Sequence, residues 1–249
     1  MSLQSTQDLD YPQAHGASDA MNVRALDQFA AEQRRECRLD CGDYVVRRVE
    51  TWSRLAKARA LIRRMYEWRG YDTENLTAKQ HGSDWIVLEA SREEQLLGTL
   101  TLGIDSGRLL ADALYEPEIN AFRNQNRKAC EISRLAVDPQ HSSKELLASL
   151  FHLAYIYVRI INKASDVFIE VNPRHAGFYT RMLGFQQIGE RRVCPRVDAP
   201  AVLLHLELEY MGVQIAKYLG SSETRGRSLY PYFFADCAAP EYEQMAKAS

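Results

Sequence analysis

Apolar and polar positions fall into blocks of two periods along this chain. Tyr44–Val49 is a short β-branched run. Asp84–Ala90 and Leu96–Ile104 are two more, joined by the polar turn Arg92–Glu94, which predicts an antiparallel hairpin. Before the hairpin, Leu55, Ala58, Leu61, Ile62, Met65 and Tyr66 recur at helical spacing, with Thr51 or Ser53 as a cap and Gly70 as a stop. Leu109–Leu114 reads as helical, Pro117 opens another short helix, and Arg123–Lys128 is a basic loop. Cys130–Val137 is an apolar strand ending at the turn signal Asp138-Pro139, and a long apolar helix starts near Ser142. Asp166–Val171 is the next strand, broken by Asn172-Pro173; a short helix around Phe178-Tyr179 then ends at Gly184. Gln186–Val193 and Ala201–Glu209 read as strands, and in the second Leu204, Leu206 and Leu208 alternate with His205, Glu207 and Glu209, so one face is wet. A helical pattern from Asp19 to Cys37 precedes all of this, and a helix near Met211–Leu219 and an aromatic patch, Tyr230–Phe234, follow it.

The order is therefore β, α, β, β, short helices, β, α, β, α, β, β. It predicts an α/β (α+β) fold, with a mixed, mostly antiparallel central sheet flanked by helices. Residues 1–43 are expected to be a flexible segment with a helix, 44–210 the main domain, and 211–249 a helical and aromatic extension packing on it.

Composition narrows the class. The chain has 249 residues, 46% hydrophobic and 26% charged, which suits a globular protein with a sizeable core. A net charge of −2 argues against a nucleic-acid partner. The five cysteines form no CxxC pair, as expected of a reduced, cytoplasmic protein. Cys37 and Cys41 share a helical spacing but lack a third ligand nearby, so no metal is expected. The N-terminus has no apolar signal-peptide core. The longest apolar run, Leu146–Ile161, carries His152 and Arg159 and does not read as a membrane span.

Candidate chemistry concentrates between Cys130 and Phe185. A carboxylate on a strand covered on both faces is desolvated, and its raised pKa suits a general base; Glu131 is such a residue. A regular strand puts Glu131, Ser133, Leu135 and Val137 on one face and Cys130, Ile132, Arg134 and Ala136 on the other. A β-bulge would bring Glu131 and Arg134 to one cleft; the alternative is a purely structural acid–arginine pair. Ser142-Ser143-Lys144-Glu145 has capping-box spacing, with Ser142 as the cap answered by Glu145. A helix start after a strand offers N–H groups to a phosphate, and His141 and Lys144 lie beside it. Asn172 ends its strand, with Glu170 on the same strand face, and Arg174 and His175 lie in the following turn. Tyr179, seven residues beyond Asn172, is either a core tyrosine or a proton donor to a leaving thiolate. Ser149, His152, Arg159 and Lys163 form a narrow stripe that reads as a solvated helix edge.

The segment FYTRMLGF after Asn172 resembles the closing motif of the GNAT acyltransferase fold, in which the preceding βα unit binds a pantetheine arm. The glycine-rich pyrophosphate loop of that fold is replaced here by the glycine-free Asp138–Lys144. Glu131–Ala136 (EISRLA) resembles the E-x-S-R-(F/L)-A signature of acyl-homoserine-lactone synthases. EISRLAVDP, VNPRHAGFY, LGF and CPRVDAPAVLLHLEL together look like the N-acyl amino acid synthases of the FeeM type, over residues 44 to 210. The resemblance implies transfer of a long-chain acyl group from acyl carrier protein to the α-amine of an amino acid. In that reading Glu131 is the base acting through water, Arg134 orients the amine or binds the carboxylate, and Tyr179 protonates the thiolate. Ala136, Val137, Ser142, Ser143, Lys144 and Asn172 would hold the acyl-phosphopantetheine. Arg174, His175, Arg127 and Lys128 are candidate contacts to the substrate or carrier, joined on a carrier-docking rim by Arg123 and Arg181. No tightly bound cofactor is implied. The co-substrate would be the 4′-phosphopantetheine thioester of acyl carrier protein, or acyl-CoA, with peripheral membrane association through the lipid product. The alternatives are an acyl-homoserine-lactone synthase-like enzyme, a coenzyme A-dependent N-acetyltransferase, and a non-catalytic carrier- or lipid-binding module.

Overall fold

The computed structural model describes residues 37–74, 84–218 and 227–233. They belong to one compact unit that begins at Cys37. The helical pattern read over Asp19–Glu36 lies outside them. Nine strands form the sheet, in the order β1 (Arg38–Asp40), β2 (Val45–Arg48), β3 (Trp85–Arg92), β4 (Gln95–Ile104), β5 (Ala129–Val137), β6 (Asp166–Val171), β9 (Ala199–Glu207), β7 (Gln186–Gln187). β8 (Arg192–Cys194) pairs with β9 off this path. All ladders are antiparallel except β5–β6.

Helices cover both faces. On one face lie α1 (Trp52–Trp68), packing Leu61, Ile62 and Met65 on Ala136, and α2 (Asp112–Arg123), packing Tyr115 and Ile119 on Ala129, Phe168 and Leu203. On the other lie α3 (Lys144–Tyr155), α4 (Pro173–Leu183) and α5 (Leu208–Tyr218), around a core that includes Leu100, Ile132, Val167, Ile169 and Leu204. The turn Tyr230–Tyr232 joins this second layer, its Tyr230 hydroxyl donating to the Leu183 carbonyl at 2.6 Å.

Local signals explain most boundaries. Thr51 caps α1, its hydroxyl accepting from the Arg54 N–H, and Gly184 ends α4 at φ +87°, a left-handed conformation that favours glycine. The two helices expected around Pro117 are one element bent at Tyr115 (φ −129°, ψ 28°). Its hydroxyl donates to the carbonyls of Glu190 and Ala201, each at 2.9 Å, tying the bend to β9. α3 continues as a π-helical stretch, Ile156–Ile161. The single strand expected over Gln186–Val193 is two short ones, β7 and β8.

Three expectations need correction, the first being that the cysteines are reduced: Cys41 is disulfide-bonded. Ser143, not Ser142, caps α3 by accepting from the Leu146 N–H, because Asp138 first caps a 3₁₀ turn, Pro139–His141, whose end is Ser142. Ser149 and His152 are not a solvated edge: they are 2% and 1% exposed, covered by Tyr44 and Phe233. Burial alone pushes the His152 pKa down to about 3, so the ring is neutral. The stripe keeps its helical period, but the segments that cover it come from opposite ends of the chain.

Candidate active site

The site is built where the sheet opens. β5 and β6 are paired only from Ala129–Glu131 to Asp166–Phe168. Beyond that, β6 pairs with β9 along its whole length, while β5 follows β4. The C-terminal halves of β5 and β6 therefore part, and their facing edges have no strand between them. A cleft of about 440 Å³ occupies this gap, within the range of pockets that bury a small molecule.

A bulge sets which side chains enter it. Thr101 pairs with Ser133 and Thr99 with Ala136, so Arg134 and Leu135 together oppose Leu100. Arg134 adopts φ +53°, strained for a non-glycine residue. The extra residue reverses the alternation beyond it: Leu135 and Val137 join Cys130 and Ile132 on the α3 side, and Ala136 turns toward α1. The regular assignment of faces is thus overturned from Arg134 onward.

The cleft has two unlike walls. Ile132, Leu135, Val137, Ile169, Val171, Leu147, Phe178 and Tyr179 make an apolar one. Tyr66, Arg69, Tyr71, Ser133, Arg134, Glu170 and Cys194 make a polar one. Burial raises the Tyr179 pKa far above its usual range and that of Tyr66 to about 12, so both hydroxyls stay protonated donors. Burial lowers the Arg134 pKa, while Tyr66 and Glu131 favour its charge.

Glu131 is 1% exposed and does not itself line the cleft. Its Oε2 accepts the backbone N–H groups of Leu110 (2.7 Å) and Ala111 (3.3 Å), just ahead of α2. Burial raises its pKa and the nearby Glu170 raises it further; Arg196 and the two N–H groups oppose this, and the result is about 7. Glu170 does line the cleft, and Arg196 Nη2 donates to it at 2.6 Å. Arg196 Nη1 donates to the Leu110 carbonyl at 2.9 Å.

The other residues singled out from the sequence divide. Val137, Ser142, Asn172 and His175 line the cleft. Asn172 also caps α4, its side chain accepting from the Arg174 N–H. Burial, then Arg174 and Arg69, lower the His175 pKa, which favours the neutral ring. Arg174 is not in the cleft wall but reaches the lining residue Tyr71, donating to its Oη at 2.9 Å and stacking over that ring at 5.0 Å. Ala136 is buried beneath α1 and Lys144 lies 5.6 Å over the Tyr232 ring, both off the cleft wall.

Arg127 and Lys128 precede the N-terminal end of β5, the end away from the cleft. Arg127 is held there by buried Asp166 in two 2.6 Å hydrogen bonds. Arg123 is likewise taken up by Asp105 and Asp112, at 2.6 and 2.8 Å. These three residues do not share a rim with Arg174. Glu170 and Arg196 were not picked out as site residues. An acid directly after the apolar run Val167–Ile169 was a signal for Glu170; nothing in the sequence signals Arg196.

Among the described residues, no cluster of His, Cys, Asp and Glu has the makings of a metal site, and no helix is long and apolar enough to cross a membrane.

Comparison with known proteins agrees with this architecture. The family model of N-acyl amino acid synthase FeeM matches residues 57–207. The solved structure of FeeM, an N-acyl amino acid synthase from uncultured soil microbes, superimposes with a TM-score of 0.63 at 29% identity, covering 68% of this chain and 93% of that one. A putative N-acetyltransferase from Lactobacillus plantarum has the same fold, with a TM-score of 0.52 at 13% identity over 67% of this chain and 99% of that one. No curated protein matches the chain. The chain therefore belongs to the FeeM family of N-acyl amino acid synthases and is an N-acyltransferase of the GNAT fold.

Proposed function

We propose that this enzyme moves a long-chain acyl group from the phosphopantetheine thioester of acyl carrier protein to the α-amine of an amino acid. The observation that carries the reading is the pairing of two unlike walls across one strand gap, with a buried acid of pKa about 7 behind the polar wall. A pantetheine arm is extended and rich in amides, so the parted edges of β5 and β6 suit it as a strand-like ligand. The apolar wall, with Phe178 and Tyr179 among its residues, suits a fatty chain.

Amide formation from a thioester is downhill, so the protein's task is to deliver a neutral amine, stabilise the oxyanion and exclude water. Glu131, with a pKa of about 7, and the cleft-lining Glu170 beside it form the acid pair that takes the ammonium proton near neutrality and releases it again. Arg134 takes the acceptor's carboxylate. Tyr179, held protonated by burial, protonates the departing thiolate. Arg69, in the cleft wall, and Arg174, which donates to the Arg69 carbonyl, supply positive charge for an acidic carrier. The glycine-free turn Asp138–Lys144, whose Asp138 is engaged by Arg64 at 2.6 Å, favours a single phosphate over the pyrophosphate of coenzyme A.

The test is incubation with palmitoyl-loaded acyl carrier protein and pooled amino acids, followed by mass spectrometry. An N-acyl amino acid that disappears with Glu131→Gln is expected. Absence of any such product from carrier and coenzyme A thioesters alike sinks the reading.

A further inference from the structure

We infer that the polar wall is a subsite for a zwitterionic α-amino acid in which Glu170, rather than Glu131 or a bridging water, is the carboxylate that meets the ammonium group. This rests on the acyl transfer to an α-amine proposed above, and it names the residue that touches the acceptor.

Position carries the argument. Glu131 spends its Oε2 on the N–H groups of Leu110 and Ala111 and is shut off from the cleft, whereas Glu170 opens onto it. The two acids sit on neighbouring strands on the same face of the sheet, Glu170 two residues beyond Phe168, the ladder partner of Glu131. One residue fixes both: the Leu110 N–H binds Glu131 at 2.7 Å, and the Leu110 carbonyl holds Arg196 at 2.9 Å, which in turn holds Glu170 at 2.6 Å. Cys194, on β8, also contributes a hydrogen bond to Glu170.

The remaining groups of this wall fit a zwitterion. Arg134 brings a cation from β5 and Tyr66 a phenol from α1. Ser133, in the same wall, has a buried hydroxyl with no hydrogen-bond partner among the described residues. An unmet buried hydroxyl beside a carboxylate and a guanidinium calls for a polar ligand atom. A ligand carrying one positive and one negative group fills this wall without changing its net charge.

The proton path then closes. An ammonium proton passes to the Glu170 carboxylate, with Glu131 behind it as the partner that tunes the pair. The freed nitrogen lone pair attacks the thioester carbonyl carbon, and the C–S bond breaks. Tyr179 gives its proton to the thiolate. The second amine proton leaves as the amide forms and restores Tyr179, so one proton in all goes to solvent. Glu170 is the catalytic residue in this scheme, and Glu131 acts through it.

Two measurements on the full chain decide it. Each common L-amino acid and its N-acetyl counterpart, which lacks the ammonium, is titrated calorimetrically against wild type, Glu170→Gln and Glu170→Asp. Wild type is expected to prefer at least one free amino acid by about tenfold, as befits a charge-assisted hydrogen bond. Glu170→Gln should lose that preference and Glu170→Asp keep part of it. In steady-state assays Glu170→Gln should lower kcat about 10²-fold, raise KM for the amino acid about tenfold and leave KM for the acyl donor unchanged. It should also lower the acid limb of the pH profile, because Glu131 loses its like-charged neighbour.

No ammonium preference in wild type, or a preference that survives Glu170→Gln, overturns the subsite. So does an unmoved acid limb with unchanged KM, which would make Glu170 only an anchor for Arg196. If Glu170→Gln fails to fold, Glu170→Asp is read against the same criteria. A protein that shows the preference but makes no N-acyl product leaves the subsite standing and removes the acyl-transfer reading instead.

Discussion

Replacing Glu131 by Gln should stabilise the protein, and only at neutral to alkaline pH. The carboxyl has a pKa of 4.5 in an ordinary setting and about 7 in the folded chain, raised by burial and then by Glu170. Between those values the folded chain holds a proton that the unfolded chain has released. Unfolding then releases a proton, so stability falls as pH rises through this window. Below pH 4.5 both states are protonated and the effect is absent; above 7 both are ionised and the loss is complete. At about 1.4 kcal/mol per pH unit of separation, the loss is on the order of 3 kcal/mol. A Gln at 131 keeps an oxygen to accept the Leu110 N–H and never ionises. Urea denaturation of wild type and Glu131→Gln at several pH values between 4.5 and 8.5 reads this directly. The variant's advantage should grow by about 3 kcal/mol over that range and then level off. Parallel stability curves, with the same difference at pH 5 and pH 8, would refute the reasoning.

Tyr179→Phe keeps the ring that packs edge-on against Phe151, at 6.4 Å between centroids, and Phe185, at 6.0 Å, so stability should hold. Its kcat should fall by about 10²-fold, and an acyl donor with a more acidic thiol should recover part of the loss. Wild-type kcat/KM should rise with pH through an acid limb near 7, because the acid pair must be ionised to accept the ammonium proton. Asp166→Asn attacks the opposite end of the sheet. Burial works against that carboxylate, and the hydrogen bonds from His205, Arg127 and Ser165 outweigh it and hold its pKa at about 2. Losing this buried charge should cost about 3 kcal/mol of stability, visible as a lowered Tm. KM for both substrates should stay unchanged.

Most of the fold was legible because it depends on periodicity and punctuation. The alternation of Leu204, Leu206 and Leu208, the cap at Thr51 and the break at Asn172-Pro173 each act over a few residues. What escaped the sequence depends on groups far apart in the chain. A bulge near Arg134 was open as an alternative to a regular strand, but no local propensity announces the left-handed arginine that fixes it and reverses the faces of β5 beyond it. Glu131 was found as a buried acid, but its aim is set by the N–H groups of Leu110 and Ala111, some twenty residues earlier. Arg127 looked like a surface cation until Asp166, a neighbour only through the parallel β5–β6 pairing, claimed it.

The central claim is that the acyl group passes from a carrier-bound thioester to an α-amine with Glu131 and its neighbours taking the proton. A single-turnover reaction tests it most directly. Palmitoyl-loaded carrier is mixed with excess enzyme and amino acid, and free carrier and N-acyl product are followed together by mass spectrometry. The account predicts one N-acyl amino acid per carrier released, faster than from palmitoyl-CoA, and slowed about 10²-fold or more by Glu131→Gln. Carrier released as free fatty acid without amide, or amide formed at the same rate by Glu131→Gln, would contradict it.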